Sequence, residues 1–319
     1  AFPTETVYGL GANALDATAV ARIFAAKGRP ANDPIIAHIA DPDQLPDLAI
    51  DIPALAYELA QAFWPGPLTL VLRKQARVPG NLTAQANTVA VRMPAHPVAK
   101  SLITEAGVPI GAPSANRFSR PSPTSALHVL ADLAGRVDVV LDGGAANIGV
   151  ESTIVDLTRS VPTVLRPGGV DVERLREYIP GLTITQRMIK DDEHSPAPAP
   201  GTLARHYAPD TPLIVVRGEA NAATTKLLEL AKERSAQGQR VGLLMLDGDA
   251  LSFEGLPVQI MLLGGDMQAM AANLFAGLRA LDASGLDVIL VRAPEQHGIG
   301  LAIWDRLQRA AQGNIIEAT

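Results

Sequence analysis

The sequence contains no cysteine. That absence excludes a disulfide scaffold, a thiolate nucleophile, an iron–sulfur cluster and a thiolate zinc site. Aromatic residues are scarce, at 4%, which leaves little for base-stacking platforms. No run of 18 apolar residues occurs, so no membrane-spanning helix is expected. There is no excess of positive charge: 27 Lys and Arg stand against 33 Asp and Glu, a net charge of −6. Residues 1–187 hold 16 basic and 17 acidic side chains, and residues 188–319 hold 11 and 16. Neither part offers the bulk cationic field that draws in nucleic acid. Also missing are a P-loop, an HExxH pair and a signal peptide. The six histidines (38, 96, 128, 194, 206, 297) show no metal-ligand spacing.

What is present is a 47% hydrophobic chain of 319 residues, long enough for about two domains with real cores. Gly and Pro together number 52, which suits a loop-rich α/β protein. In the first part, helices are expected over 14–27, 53–63 and 98–105. Short strands are expected over 35–39, 68–72, 88–92, around Ile110, and over 137–141, 153–157 and 163–165. Few helices among many short strands predict one twisted, mixed α/β sheet. The segment 188–211 is charged and then Pro-rich, as a semi-extended linker would be. Beyond it, strands over 213–216, 241–246, 258–263 and 288–291 alternate with helices over 222–235, 268–283 and 300–311. That alternation predicts a smaller, parallel, Rossmann-like α/β domain over 212–319. It has no GxGxxG after its first strand, so dinucleotide binding is not supported. The chain opens at Ala1-Phe2-Pro3, at what reads as the end of a strand, so an N-terminal segment is expected to precede it. A cytoplasmic protein is expected.

Chemistry concentrates in the first part. Lys27-Gly28-Arg29-Pro30 follows a helix. Two cations flanking a glycine suit phosphate binding, but cations at a helix C-terminus are also favoured with no ligand. The small residues of Gly111-Ala112-Pro113-Ser114-Ala115-Asn116 permit close backbone approach, or form an ordinary turn. Alone, His38 would be a satisfied core histidine, Arg92 a strand-end ion pair and Ser152 a strand-entry hydrogen bond.

In combination these runs carry more. Pro-Thr-Glu-Thr-Val-Tyr-Gly-Leu (3–10), Lys-Gly-Arg-Pro (27–30), Pro-Gly-Pro-Leu-Thr (65–69), Val-Arg-Met-Pro (91–94), Ala-Pro-Ser-Ala-Asn (112–116), Ser-Pro-Thr (122–124), Glu-Ser-Thr-Ile-Val-Asp (151–156) and Leu-Arg-Pro-Gly (165–168) occur in order. The chain over 1–185 resembles the Sua5/YrdC/YciO family of L-threonylcarbamoyladenylate synthases. Gly-Thr-Leu-Ala-Arg-His-Tyr-Ala-Pro (201–209) and Gly-Ile-Gly-Leu-Ala-Ile-Trp-Asp-Arg-Leu (298–307) resemble the family's long, two-domain Sua5 branch. The resemblance implies a YrdC-like catalytic domain over 1–187, a linker and lid over 188–211 and a Sua5-type C-terminal domain over 212–319. It implies a nucleotidyltransferase that makes threonylcarbamoyl-AMP and pyrophosphate from L-threonine, bicarbonate and ATP. The product serves N6-threonylcarbamoyladenosine formation at position 37 of tRNA, through a separate transferase.

Carried over residue by residue, the resemblance assigns ATP to Lys27, Arg29, Asp33, Thr88, Ser114, Asn116, Ser122, Arg166 and Tyr207, with Lys27 and Arg29 central to catalysis. It assigns threonine to Thr6, His38, Arg92, Ala112 and Ser152. Mg2+ is expected on the ATP phosphates and water, with no protein cage. Tyr207 is expected on a lid that keeps water from the acyl-adenylate. Asp33 departs from the family's usual Asn-Pro: either Asn32 substitutes, or Asp33 makes a different contact. No general base is evident. Two other readings compete: an RNA-binding module, which the even charge disfavours, and a carbamoyl-adenylate-forming domain of the hydrogenase-maturation kind.

Overall fold

The computed structural model describes residues 1–185, 199 and 206–318. Most of the segment expected as a linker, 188–211, lies outside the described residues. The chain divides into two compact units, Ala1–Phe118 with Ser122–Ala204, and Ser119–Pro121 with Arg205–Thr319.

In the first unit the elements are β1 (Ala12–Asn13), α1 (Ala17–Lys27), β2 (Ala37–His38), α2 (Leu45–Leu48), β3 (Ala49–Ile50), α3 (Ala54–Phe63), β4 (Leu68–Lys74), β5 (Thr88–Arg92), α4 (Pro97–Ala106), β6 (Ile110–Gly111), α5 (Ala126–Leu133), β7 (Thr153–Asp156), β8 (Thr163–Arg166), α6 (Val172–Arg176) and β9 (Thr183–Ile184). They form one mixed sheet in the order β1-β6-β2-β5-β4-β7-β8-β9, with β3 beside β4. Strand β4 shows why the centre is stable: Leu68, Leu70, Val71 and Leu72 are all buried, as in a strand covered on both faces. Its neighbours are antiparallel β5 and parallel β7.

Helix α1 aims the first functional loop. The Asp16 side chain accepts hydrogen bonds from the Thr18 and Ala19 amides, capping the start. Val20 and Ile23 bury one stripe. At the far end Gly28 adopts a left-handed conformation (φ 64) and donates its amide to the Phe24 carbonyl. A side chain is disfavoured at this φ, so glycine here lets the chain reverse sharply between Lys27 and Arg29.

Two expectations for this unit fail. Residues 137–141 form no strand. The run is β-branched and apolar, but Val139 is 60% exposed. Its strand-like bonds run to Ala1, from the Leu141 amide to the Ala1 carbonyl and from the Ala1 amino group to the Val139 carbonyl. One residue is too short a partner for a ladder. Likewise, the segment ending at Pro3 forms a single bridge, Phe2 to Gly9, and Gly9 bridges onward to Ser114. Helix α5, started by the Ser125 side chain on the His128 amide, was not anticipated.

The second unit is β10 (Leu213–Arg217), α7 (Ala220–Ala236), β11 (Val241–Met245), β12 (Val258–Leu262), α8 (Met267–Asp282), β13 (Val288–Arg292), α9 (Ile299–Ala310) and β14 (Ile315–Glu317). Its sheet, β12-β11-β13-β10-β14, is parallel throughout, as the strand–helix alternation predicts. Ala223, Leu227, Leu230 and Ala231 put the buried stripe of α7 on Val216, Leu243 and Leu290. Among the described residues no helix is long and apolar enough to cross a membrane.

Candidate active site

The loop after α1 and the loop after β6 are joined by Lys27. Its Nζ donates to the Ser114 and Asn116 carbonyls, both at 2.5 Å. The Ser114 hydroxyl in turn donates to Asn116 Oδ1 at 2.5 Å. Two residues on, Arg29 folds onto its own loop. Its Nη2 donates to the Pro34 carbonyl at 2.8 Å and its Nε to the Asp33 carbonyl at 3.3 Å. The same Nη2 lies 2.9 Å from Asp33 Oδ2. Asp33 is completely buried. Burial pushes its carboxyl above the usual carboxylate range, against the opposing pull of Arg29, then Lys27, then Arg166.

Three cations thus act on one carboxylate, Arg29 in direct contact and Lys27 and Arg166 through their charge, although they come from a helix end, a loop and strand β8. Arg166, the last residue of β8, is fixed from the other side. Its Nη2 donates to the Ser152 carbonyl at 2.9 Å and reaches the Ser152 hydroxyl at 3.3 Å. That hydroxyl shares a 2.7 Å hydrogen bond with the Thr69 hydroxyl. Gly168 makes the crossing close enough. A Cβ there would stand 2.3 Å from the Glu151 carbonyl oxygen and 2.4 Å from the Thr153 nitrogen.

Thr69 pairs in register with Arg92 across β4–β5, and Arg92 with His38 across β5–β2. Arg92 donates from Nη1 to the Thr6 hydroxyl at 2.9 Å, from Nε to the Gly66 carbonyl at 3.2 Å and from Nη2 to Glu5 Oε1 at 2.6 Å. Glu5 Oε2 also accepts from the Ala95 amide. His38 is buried edge-on to Phe2, with ring centres 6.2 Å apart. Burial first, and the Arg92 charge second, lower its pKa to about 3, so it is a neutral imidazole at neutral pH. Ala112 holds its loop to the sheet by donating its amide to the Ile36 carbonyl.

The expected residues thus fall into linked groups: Ser114 and Asn116 with Lys27, Asp33 with Arg29, Arg166 with Ser152, and Arg92 with Thr6 and, in register, His38, the unforeseen Thr69 joining Ser152 to Arg92. Ser122 stands on a further buried pair, donating its hydroxyl to Glu151 Oε1 at 2.5 Å. Thr88 is not in this network; it begins β5 opposite Arg73, at the end of the strand away from Arg92. Tyr207 belongs to the second unit. There its ring stacks on Phe275 at 5.4 Å and lies under the Arg306 guanidinium at 5.2 Å. The rest of the expected lid is largely outside the described residues. Within it Ala199 is described, buried among Ile36, Val71, Ala90, Ile154 and Leu165.

Sequence reasoning passed over Glu5, Thr69 and Glu151 as site residues. Each stood inside a run already singled out, but an acid or a mid-strand threonine carries no signature of an anion site until its neighbours are known. A separate apolar groove of about 660 Å³, lined by residues including Phe2, Leu10, Ile23, Ile110 and Leu141, contains none of the expected site residues. Among the described residues no group of three His, Asp or Glu could hold a metal ion.

A mixed α/β sheet that gathers buried cations and hydroxyls where strand ends meet tight loops, followed by a parallel α/β unit, defines a protein that handles small anions. The chain belongs to the Sua5/YciO/YrdC family: the model of that family, described as "Telomere recombination", matches residues 1–168, and that of the "Threonylcarbamoyl-AMP synthase, C-terminal domain" matches 170–312. The chain is 47% identical over 320 residues to the threonylcarbamoyl-AMP synthase of Pyrococcus abyssi (strain GE5 / Orsay), covering 99% of this chain and 91% of that protein. It is 42% identical over 317 residues to the Bacillus subtilis (strain 168) enzyme of that name, covering 99% and 90%. The crystal structure of P. abyssi Sua5 complexed with L-threonine superposes with a TM-score of 0.94 at 46% identity, over 100% of this chain and 92% of that one.

Proposed function

We propose that this protein makes threonylcarbamoyl-AMP from L-threonine, bicarbonate and ATP. The observation that carries the reading is the set of buried cations at the strand and helix ends: Lys27 on the Ser114 and Asn116 carbonyls, Arg29 in contact with Asp33, and Arg166 linked through Ser152 and Thr69 to Arg92. Buried guanidinium and ammonium groups gathered with hydroxyls make a site suited to a polyphosphate. The relatives' shared name, threonylcarbamoyl-AMP synthase, supports the product.

The threonine amine joins bicarbonate to give a carbamate, and water leaves. A carbamate oxygen then forms a bond to the ATP α-phosphorus as the bond to pyrophosphate breaks. Both reactants are anions, so the protein must first neutralise and align them. Lys27, Arg29 and Arg166, with Ser114 and Asn116, take the nucleotide. Ser122 contributes at its margin. Arg92 offers the threonine carboxylate a two-pronged contact, Thr6 and Ser152 meet its polar groups, and Ala112 its methyl. His38, neutral, packs beside Arg92 without adding charge. The nucleotide enters as MgATP, its metal held by phosphate oxygens and water. A separate transferase takes the product to tRNA.

The test is pyrophosphate release. It should require threonine, bicarbonate and ATP together. Lys27→Ala and Arg29→Ala should each lower it at least about 100-fold, the usual loss when a charge-stabilising group is removed. Near-normal turnover in both variants, or release that needs carbamoyl phosphate in place of threonine and bicarbonate, would reject the assignment.

A further inference from the structure

We propose that Asp33 is a stand-in anion within the phosphate-binding cluster, and that it takes up a proton when the ATP triphosphate arrives, coupling nucleotide binding to protonation. The inference rests on the reading of Lys27, Arg29 and Arg166 as triphosphate contacts.

Asp33 is wholly buried. Beyond its 2.9 Å ion contact with Arg29, neither carboxylate oxygen has a hydrogen-bond partner among the described residues. That is costly for a buried carboxylate. The charged groups that act on it are Arg29 from its own loop, Lys27 from the end of α1 and Arg166 from the end of β8, with no second acid among them. Asp33 is thus the counter-ion that Arg29 meets directly and that Lys27 and Arg166 attract. A triphosphate brings several negative charges to the same cations. The carboxylate would then be a like charge facing phosphate in a dry site, which must leave or be neutralised. Leaving is obstructed. Arg29 grips the backbone of this same segment, at the Asp33 and Pro34 carbonyls, so the segment that carries the buried carboxylate is held in place. Protonation needs no movement. It turns Oδ1, which has no hydrogen-bond partner among the described residues, into an O–H donor for a phosphate oxygen. Burial already biases the group toward its neutral form.

Isothermal titration of the full chain with MgATP, in buffers of small and large ionisation enthalpy at about pH 8, reads the proton directly. There the terminal phosphate, with an ordinary pKa of about 6, is already ionised, and a cationic site can only draw protons off it. Net uptake must therefore come from the protein. Wild type should take up a proton on binding. Asp33→Asn and Asp33→Ala should not, and Asp33→Asn should gain on wild type by up to about tenfold in affinity per pH unit through the range of uptake. A residue that only oriented Arg29 would change affinity equally at every pH. Wild-type binding without uptake, or unchanged uptake in both variants, overturns the inference and leaves the nucleotide reading standing. Failure of wild type to bind MgATP overturns both.

Discussion

His38 and Arg92 face each other across β2 and β5, and burial, with the Arg92 charge second to it, sets the imidazole's charge. With a folded pKa near 3 against an ordinary value of 6.5, His38 is neutral in the fold. Below about pH 6.5 the unfolded chain binds a proton that the folded chain refuses. Stability contributed above that pH is then lost at about 1.4 kcal/mol per pH unit, until the folded pKa is reached. Urea unfolding between pH 7 and pH 4 should show this slope in wild type and a shallower one in His38→Gln. Equal slopes would mean the ring is not held neutral. At this scale the sequence was partly legible. Lys27, Arg29, Arg92 and Arg166 could be picked out because each stood in a run with Gly, Pro or a small residue. Glu5 could not. Its role is to hold Arg92 by a 2.6 Å ion pair, and nothing in the order of residues says which of 33 acids will meet which arginine.

Elements place these side chains, and two glycines separate backbone conformation from space. Gly28 has a left-handed φ of 64 but nothing within 4 Å of where a Cβ would stand. Gly28→Ala should therefore cost only the conformational term, about 1 kcal/mol. At Gly168 a Cβ would collide with backbone at Glu151, Ser152 and Thr153, and backbone cannot turn aside. Gly168→Ala must push β8 away from Ser152, breaking the Arg166 contacts. It should destabilise by about 1–3 kcal/mol and abolish pyrophosphate release. Thermal melts with activity assays give the comparison; a fully active Gly168→Ala would show that the crossing does not set the site. Element reading worked where periodicity ran long. Helices α7, α8 and α9 and the strands between them follow the expected alternation within a few residues. It failed where tertiary partners decide. Residues 137–141 have the composition of a strand and no sheet beside them. Strands β1, β2 and β6 are two residues long, shorter than any periodic pattern can mark.

For the whole molecule, the question is whether RNA as well as small anions can use this charge. The chain is net −6, and the cations that matter are inside: Lys27, Arg29, Arg92 and Arg166 are each at most 7% exposed. Several exposed arginines are already matched, Arg22 to Asp138, Arg73 to Asp51 and Arg77 to Asp47. A polyanion meets alternating signs on such a surface, with few counterions to release. A small anion faces no such limit, because it is sized for the buried cluster. Unmodified tRNA should therefore bind at roughly 0.15 M salt no better than the non-specific range of about 10⁻⁴–10⁻⁶ M. The dependence of log affinity on log salt should correspond to only one or two phosphate contacts. Filter binding over a salt series measures both. A slope matching six or more phosphates would reveal a basic track on the surface and make RNA contact part of the work. A shallow slope, with pyrophosphate release unaffected by added tRNA, fits a protein that finishes its chemistry on small molecules before any nucleic acid takes part.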